Sequence, residues 1–359
     1  SPPKLARPSV KRARVLVAGA GPAGLAAAVV AAERGAEPVV FERRRGLLDK
    51  ACGEGIMPRG VAWLREHGVR LEGAGRAFYG IRYIEGERRM SGRFFGAPGV
   101  AIRRLVLSER LLERAEALKI PIEWGVAVND VGASRDGGWF DVSGVRVEGD
   151  YGVLADGLQG VLRTTLLGDT QKQKRRPRYG LRMHVAVPPW SDHVEVHWSD
   201  HGEAYVTPVG DSEIGVAILT SQRPARWQDL LGSFPALNSR LEGQPTTSSL
   251  RGAGPLRRDV AVRRVGRIGV IGDAAGYLDA CTGEGLTLAF QSAEAWIKCA
   301  LSGYPDRYPG VHRRILRRYW LGTSAILLLA RHPSLRRGVF ELLSRVPGGF
   351  RLALASFGP

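Results

Sequence analysis

A glycine-rich turn between a short apolar segment and an alanine-rich segment constrains this 359-residue chain more than any other feature. Arg14–Ala18 predicts a buried strand, and residues 21–35 predict a helix. The turn between them contains Gly19, Ala20, Gly21, Pro22, Ala23 and Gly24. In such a pattern the first glycine permits a tight turn, the second lets the backbone approach a pyrophosphate, and the third lets the helix pack on the strand. The helix N-terminus adds free N–H groups for the same phosphates.

A carboxylate at the end of the next predicted strand strengthens the case for a dinucleotide site. That strand covers residues 38–41, and Glu42 follows it, 23 residues after Gly19, with Arg43 beside it. A carboxylate there can accept hydrogen bonds from both ribose hydroxyls of an adenosine, and it disfavours a 2′-phosphate. The pattern therefore predicts a site for FAD or NAD rather than for NADP.

Two further segments place an aspartate directly after a predicted strand, where open α/β sheets bind ligands. Asp273 follows Gly272 at the end of one buried segment, and Asp156 precedes Gly157 at the end of another. The first segment continues to a predicted helix start at Gly283, Glu284, Gly285 and Leu286. Taken alone, Asp273 is also compatible with a helix cap, and Asp156 with an ordinary turn.

Together these elements resemble the FAD-dependent oxidoreductases of the para-hydroxybenzoate hydroxylase and geranylgeranyl reductase superfamily, over roughly residues 12–301. The resemblance implies that the glycine turn holds the FAD pyrophosphate and that Gly272 and Asp273 lie at the ribityl chain. It implies that Asp156 and Gly157 touch FAD and take part in pyridine-nucleotide use, and that Arg104 lies near the flavin. The helix start at residues 283–286 would then point its positive end at the pyrimidine edge of the flavin.

Details of the sequence favour the geranylgeranyl reductase-like branch of the superfamily. Cys52 and Gly53 look like the Cys-Gly-x-Gly segment that lies beside the flavin in that branch. Residues 203–208 occupy the place of its aromatic Tyr-x-Trp-x-Phe-Pro signature, but only Pro208 matches it. The tryptophan signature of the flavin halogenases is absent from the sequence, so halogenation is not expected.

The resemblance implies an FAD-dependent oxidoreductase that uses NAD(P)H as a transient reductant. Two other Gly-Ala-Gly segments, at residues 73–75 and 252–254, lack the third glycine, so the chain has a single dinucleotide pattern. The departures within residues 203–208 favour a monooxygenase of a hydrophobic small molecule, for example in secondary metabolism. A geranylgeranyl reductase-like enzyme that saturates isoprenoid or other alkenes is an alternative, and a non-catalytic flavin-binding module is another.

No residue in the sequence selects between oxygenation and alkene reduction. Catalytic candidates are Cys52, Arg182, His184 and Tyr205. Cys52 suits either a proton donor or a packing residue, His184 either a base or a structural histidine, and Arg182 either an anion contact or a solvated position. The three cysteines and seven histidines show no metal-ligand spacing, so no metal is expected.

The order of predicted elements indicates an α/β (α+β) fold in which a Rossmann-like FAD-binding domain contains an inserted antiparallel-sheet substrate domain. We predict that residues 12–78, 99–168 and 255–304 form the FAD-binding domain, and that residues 79–98 and 169–254 form the substrate domain. The alternation of apolar residues between 178 and 219 indicates the antiparallel sheet. Residues 1–11 are predicted to be a flexible tail, and residues 305–359 a helical C-terminal segment.

The net charge of +17 raises the question of an anionic partner. The excess comes from 45 arginines spread along the chain, with one dense cluster at residues 172–178 and no recognition motif, so nucleic-acid binding is not expected. The C-terminal segment combines leucines and arginines, which suits either a packed helical cover or peripheral contact with a membrane. The few cysteines suit a reducing compartment and predict a cytoplasmic protein.

Overall fold

The computed structural model describes residues 12–168, 177–222, 226–258, 260, 262–346 and 348–357. The predictions for the tail at residues 1–11, and for the charged cluster up to residue 176, therefore lie outside the described residues. The strands are β1 Arg14–Ala18, β2 Glu37–Glu42, β3 Gly55–Ile56, β4 Arg76–Phe78, β5 Gly80–Glu85, β6 Arg88–Arg93, β7 Gly99–Ala101, β8 Ile122–Trp124, β9 Val128–Ala133, β10 Gly138–Val142, β11 Val145–Gly149, β12 Tyr151–Leu154, β13 Tyr179–Val185, β14 Val194–Ser199, β15 Gly202–Thr207, β16 Ile214–Thr220, β17 Arg251–Ala253, β18 Arg264–Val265 and β19 Ile268–Val270.

The helices follow the same chain order and include two short 3-10 turns. The α-helices are α1 Pro22–Glu33, α2 Pro58–Glu66, α3 Arg104–Ala117, α4 Leu162–Leu167, α5 Trp227–Leu231, α6 Pro235–Leu241, α7 Gly285–Leu301, α8 Tyr308–Arg331, α9 Pro333–Arg345 and α10 Gly349–Phe357. The 3-10 turns are Gly272–Ala275 and Pro305–Arg307. Among the described residues, none of these helices combines the length and the apolar character needed to cross a bilayer.

A six-stranded sheet carries the predicted dinucleotide turn. Its strand order is β18-β19-β12-β1-β2-β8, and all neighbours are parallel except the edge pair β18–β19. Helix α1 is apolar on every side, and it is buried because it lies between this sheet and α7. The order brings the C-terminal ends of β1, β12 and β19 side by side, so the three predicted ligand-binding loops meet at one edge.

A seven-stranded sheet covers that edge. Its order is β17-β13-β16-β15-β14-β5-β6, so two segments far apart in sequence share one sheet, as the interrupted arrangement predicts. The expectation of a purely antiparallel sheet is wrong at one pair: β14 runs parallel to β5, with Val194 opposite Ile81. Parallel pairing needs a long connection, and the intervening FAD-binding segments supply it. The exact domain boundaries stay a prediction.

Smaller sheets complete the architecture. One has the order β11-β10-β9 and the other β3-β7-β4. Strands β10 and β11 form a hairpin, since Ser143 and Gly144 turn the chain with positive φ angles of 55° and 85°. Two successive positive φ angles define the tight turn that matches the twist of a hairpin.

The C-terminal helices pack across the outer end of the seven-stranded sheet. Tyr83 of β5 meets Phe350 of α10 at a ring-centroid distance of 5.0 Å, and Trp198 of β14 meets Phe340 of α9 at 6.4 Å. Arg336 of α9 is fully buried, and its guanidinium lies 2.6 Å from the carboxylate of Glu85. These contacts support the prediction of a packed helical cover on the inner side of the segment.

Candidate functional site

Two of the three glycines of the first turn are held by steric limits that no other residue meets. A Cβ atom on Gly24 would lie 1.8 Å from the carbonyl oxygen of Gly19, so α1 can approach β1 only with glycine there. Gly19 has a φ of 108°, and a Cβ on it would lie 2.6 Å from the carbonyl oxygen of Ala155. A Cβ on Gly21, by contrast, would meet no atom of the described residues within 4 Å. Gly21 therefore faces open space at the N-terminus of α1, as a pyrophosphate cradle requires.

Glu42 orders the mouth of this turn. Its carboxylate accepts a hydrogen bond from the backbone N–H of Ala20 at 2.9 Å and from that of Arg44 at 3.1 Å. Arg43 is exposed. Pro22 and Ala23 begin α1, and both take part in its close packing at the turn. The predicted ribose-binding carboxylate thus lies beside the predicted pyrophosphate turn.

The Gly272–Asp273 element packs against the same turn. Gly272 has a φ of 59°, and a Cβ on it would lie 2.8 Å from the Cβ of Ala23. Its N–H donates to the hydroxyl of Ser292 in α7 at 3.0 Å. Desolvation raises the pKa of Asp273, and the charges of Lys50, Arg104 and Arg258 act against that rise. Asp273 and these cations therefore lie within electrostatic reach of one another in the region between α1 and the loops after β12 and β19, which we call the groove.

Lys50 is a groove residue that the sequence analysis missed. A Cβ on Gly157 would lie 3.4 Å from its Nζ atom, so the ammonium group sits directly above the Asp156–Gly157 element. Desolvation in the groove and then the charge of Arg104 lower the pKa of Lys50, although the side chain stays open to solvent. No motif marks this lysine in the sequence, because a long loop brings it to the groove.

Asp156 organises the loop that follows β12. Its carboxylate accepts a hydrogen bond from the N–H of Leu162 at 2.9 Å, and burial raises its pKa. Arg258 donates to the carbonyl oxygen of Gly160 at 3.0 Å and so joins the same loop to the segment before β18. Gly157 has a φ of 81°, which the turn requires. The contact of Asp156 with FAD stays a prediction, and its role in the loop is a finding.

The predicted helix start is observed where the sequence places it. Gly283 has a φ of 68°, Glu284 immediately precedes α7, and Gly285 is the first residue of the helix, followed by Leu286. Desolvation raises the pKa of Glu284 to about 7, opposed by the charge of Arg59. A free helix N-terminus with a carboxyl group of this kind can bind an anionic or hydrogen-bonding ring edge.

The Cys52–Gly53 segment joins the two sheets through a residue that the sequence analysis missed. Glu54 has a φ of 60°, and its N–H donates to Sγ of Cys52 at 3.4 Å. Its carboxylate accepts from the N–H of Arg104 at 2.9 Å and lies 2.6 Å from Nε2 of His184. Burial raises the pKa of Cys52, which favours the thiol. The guanidinium of Arg104 itself donates to Ser108 at 2.5 Å.

His184 and Arg182 lie side by side on β13, and both are almost fully buried. Nδ1 of His184 faces guanidinium nitrogens of Arg103 and Arg182, each at 3.1 Å. Because guanidinium groups only donate, Nδ1 accepts and Nε2–H donates to Glu54. Arg182 also binds the carboxylate of Asp49. Both weak catalytic candidates are therefore committed to contacts inside the protein.

Two alternate side chains of β15 reach the loops of the other sheet, and a third binds the residue that precedes β13. Thr207 donates to the carbonyl oxygen of Gly53 at 2.7 Å, and Tyr205 donates to that of Cys281 at 2.9 Å. Glu203 binds Arg178 at 2.5 Å. Residues at i, i+2 and i+4 share one face of a strand, so the segment that departs from the aromatic signature uses this face to hold both loops.

A buried charge cluster lies at the far end of this face. Nε of Arg178 lies 3.0 Å from a carboxylate oxygen of Asp279, and Glu203 and Asp279 are nearly inaccessible. Desolvation raises the pKa of Asp279 to about 6. The negative charge of Glu203 also raises this pKa, whereas the positive charge of Arg178 lowers it. The hydroxyl of Tyr319 accepts from the N–H of Asp279 at 3.0 Å and so ties α8 to the loop. Sequence patterns did not indicate this cluster, since its members lie on three separate segments.

Comparison with known proteins agrees with this arrangement. A family model described as the FAD binding domain matches residues 12–298. Menaquinone reductase of Mycolicibacterium smegmatis is 28% identical over 86% of this chain and 81% of its own length. The 3-amino-4-hydroxybenzoate 2-monooxygenase of Streptomyces cremeus is 27% identical over 85% of this chain and 82% of its own. Digeranylgeranylglycerophospholipid reductase 1 of Methanopyrus kandleri is 28% identical over 77% of this chain and 76% of its own.

Proposed function

We propose that this chain, which belongs to the FAD binding domain family, is a lipid-directed reductase. Its membership of that family confirms the superfamily predicted from its motifs. The protein is an FAD-dependent oxidoreductase. The proposed reaction uses NAD(P)H to saturate a carbon–carbon double bond of an uncharged isoprenoid or similar lipophilic substrate. Alkene reduction is the alternative to monooxygenation in the sequence analysis. We place it first because arginines of the site are already paired with carboxylates.

The residues of the groove fit FAD. The open side of Gly21 and the N-terminus of α1 suit the pyrophosphate, and the ammonium of Lys50 adds a positive charge beside Gly157. Glu42 suits the adenosine ribose, and Asp273 suits the ribityl hydroxyls. When bound, FAD supplies hydride transfer, while the protein supplies orientation and electrostatics.

The single observation that carries the substrate class is the pairing of Arg178, which directly precedes β13, and of Arg182 within that strand. Arg178 is neutralised by Glu203 and also contacts Asp279, and Arg182 is neutralised by Asp49. Neither guanidinium is left for the carboxylate of an aromatic acid, a group that would otherwise be buried at high cost. The buried cluster on this side of the sheet is apolar and includes Tyr83, Trp198, Tyr205, Leu278, Cys281 and Leu316. An uncharged, lipophilic molecule suits such surroundings.

Asp279 is the proposed proton donor. Saturation of a double bond adds a hydride to one carbon and a proton to the other, so the site needs an acid that is protonated near neutral pH. The raised pKa of Asp279, about 6, keeps roughly a tenth of that carboxyl protonated at pH 7, far more than for an ordinary aspartate. Its loop lies between Asp273 and the start of α7, both of which the family resemblance predicts to lie at the flavin. Solvent returns the proton after each turnover.

The test is a product analysis with the FAD-loaded protein and NADH or NADPH. The probes are a menaquinone and a geranylgeranyl lipid, each incubated with and without oxygen gas labelled with a heavy isotope. The proposal is supported by a product that gains two hydrogen atoms and no labelled oxygen atom, and by the oxidation of one NAD(P)H for each double bond saturated. Asp279→Asn should slow product formation at least tenfold while NAD(P)H still bleaches the flavin at the wild-type rate.

Monooxygenation is the second candidate, supported by the similarity to the Streptomyces cremeus enzyme. In the same assay it predicts a product that carries one labelled oxygen atom and forms only in air. If NAD(P)H bleaches the flavin but neither lipid is converted, the proposed substrate class is wrong. If NAD(P)H does not reduce the flavin at all, a non-catalytic flavin-binding module becomes the better account.

A further inference from the structure

The C-terminal helices expose leucines that the fold does not use. Leu321 and Leu328 of α8 are 66% and 49% accessible, and Leu335 and Leu342 of α9 are 45% and 62% accessible. Leu352 of α10 is 62% accessible. Isolated exposed leucines are ordinary, but five on three consecutive helices are an unusual number. We call these five leucines the outer leucine set.

The opposite sides of the same helices are fully engaged. Leu316, Tyr319, Ile326, Leu327 and Phe340 are buried in one cluster with the seven-stranded sheet. Each helix therefore already has its apolar partner on the inner side. The outer leucine set is additional apolar surface, which is costly in water unless something covers it.

The same outer surface is strongly basic. Residues 305–357 contain ten arginines but only two acidic residues, Asp306 and Glu341. Both acids are paired, with Arg264 and Arg345 respectively. One arginine, Arg336, is buried and serves the fold. Most of the remaining positive charge is therefore not balanced within the segment, and it favours an anionic partner.

An open groove at the N-terminal half of α8 concentrates this charge. It has a volume of about 670 Å³ and is lined by Arg263, Arg313, Arg314, Arg317 and Trp320, with no carboxylate among its described lining residues. Desolvation and the neighbouring Arg313 lower the pKa of Arg263, against the effect of Tyr308. A bound anion would relieve this repulsion. We call this feature the arginine groove.

We propose that the arginine groove and the outer leucine set form one docking surface for an anionic phospholipid bilayer, with lipid phosphates in the groove and leucines among the acyl chains. The exposed positions 313, 314, 317, 321 and 328 follow one face of α8, so cations and leucines can meet a single plane. This combination is the pattern of helices that lie in a membrane interface. A free phosphate would use the arginines alone and leave the leucines without a role.

The inner side of α8 links this surface to the candidate site. Tyr319 binds the Asp279 segment, whereas the next two residues, Trp320 and Leu321, lie in the groove and on the outer surface. A single helix turn therefore separates the proposed bilayer contact from the buried charge cluster. The docking proposal stands on the outer surface and does not depend on which reaction the protein performs.

The experiment is flotation of the full-length protein with vesicles of phosphatidylcholine alone or with added phosphatidylglycerol. We expect binding only to the anionic vesicles, decreasing with salt. Arg313→Gln/Arg314→Gln/Arg317→Gln should lower partitioning about 100-fold, since each arginine near an anionic surface contributes roughly fivefold. Leu321→Ser/Leu328→Ser/Leu342→Ser should lower it at least tenfold at unchanged charge.

Matched controls carry the same changes elsewhere on the surface. Val145, Val161 and Leu250 are 64%, 66% and 41% accessible, and their triple serine variant should float like the wild type. The exposed Arg34, Arg70 and Arg135 provide the corresponding glutamine control. Thermal midpoints of all variants confirm that each one is folded.

Several results would overturn the proposal. Equal binding to neutral vesicles, no binding to anionic vesicles at low salt, or wild-type flotation of either test variant would each do so. A second result concerns self-association. If the wild type is a dimer in sedimentation and does not bind vesicles, and the leucine variant is a monomer, the surface binds a second copy of the chain instead. If inorganic phosphate or a nucleic acid binds the groove and the leucine variant binds as well as the wild type, the partner is not a bilayer.

Discussion

The carboxylate of Glu54 lies 2.6 Å from Nε2 of His184, and this contact joins the Cys52 loop to the seven-stranded sheet. Both side chains are almost fully buried. Nδ1 of His184 accepts from two arginines, so its other nitrogen is left to donate to Glu54. The contact holds the loop predicted to lie beside the flavin against the strand that carries Arg182.

Breaking this contact should destabilise the protein strongly. Glu54→Ala leaves Arg182 and His184 short of a buried acceptor, and we expect a loss of about 3–5 kcal/mol in urea unfolding. Adding His184→Ala to Glu54→Ala should cost less than the sum of the two single changes, because the pair acts as a unit. Arg226→Ala, at an exposed ion pair with Asp229, serves as the control and should leave the urea midpoint unchanged. Additive single and double variants would contradict a coupled pair.

Two glycines of one turn should respond differently to the same substitution. Gly24→Val forces side-chain atoms against the carbonyl oxygen of Gly19, so it should lower the thermal midpoint by several degrees and abolish FAD binding. Gly21→Val meets no atom within 4 Å of its Cβ, so it should leave the midpoint of the cofactor-free protein unchanged but block FAD. Calorimetry and flavin fluorescence separate the two effects. Full FAD binding by Gly21→Val would show that the pyrophosphate does not approach this turn.

Lys50 should contribute to FAD affinity through its charge. We expect Lys50→Met to raise the dissociation constant for FAD at least tenfold, since a charge-assisted hydrogen bond to phosphate contributes about 1.5–3 kcal/mol. Lys298→Met, on the exposed side of α7, is the matched control and should bind FAD as the wild type does. Titration of the cofactor-free protein, followed by flavin fluorescence, measures both. An unchanged dissociation constant for Lys50→Met would remove this lysine from the cofactor site.

His312 should make the protein less stable at mildly acidic pH. Burial, and then the charge of Arg263, lowers the pKa of His312 to about 3. The unfolded chain takes up a proton below about pH 6.5, whereas the folded protein does not until about pH 3. The contribution of His312 to stability is therefore complete above pH 6.5 and decreases as the pH falls, by about 1.4 kcal/mol per unit.

The variant His312→Phe keeps a ring against Tyr308 but cannot be protonated. Between pH 7 and pH 5 the wild type should lose about 2 kcal/mol more than this variant in urea unfolding. His332→Phe, at an exposed position, controls for the replacement of a histidine ring. Parallel pH curves for wild type and His312→Phe would show that this histidine is not the titrating group.

The short-range parts of the site could be predicted from the sequence. The turn of residues 19–24 requires glycine at Gly24 because of a contact with Gly19, five residues away. Its pattern can therefore be recognised in the sequence without the rest of the fold. Glu42 lies where a single strand–helix–strand unit places it. The start of α7 at Gly285 and the shared face of alternate residues on β15 also follow from local periodicity.

Only the tertiary structure decided which distant residues meet. Lys50 above Gly157, Glu54 at His184, and Arg178 between Glu203 and Asp279 are contacts between segments far apart in the chain. The parallel pairing of β14 with β5 is a choice of the same kind. A sequence pattern shows the period of a strand or helix. Burial makes an unpaired charge costly, so each buried charge needs a partner, but which residue is that partner is decided only by the packing of the whole chain.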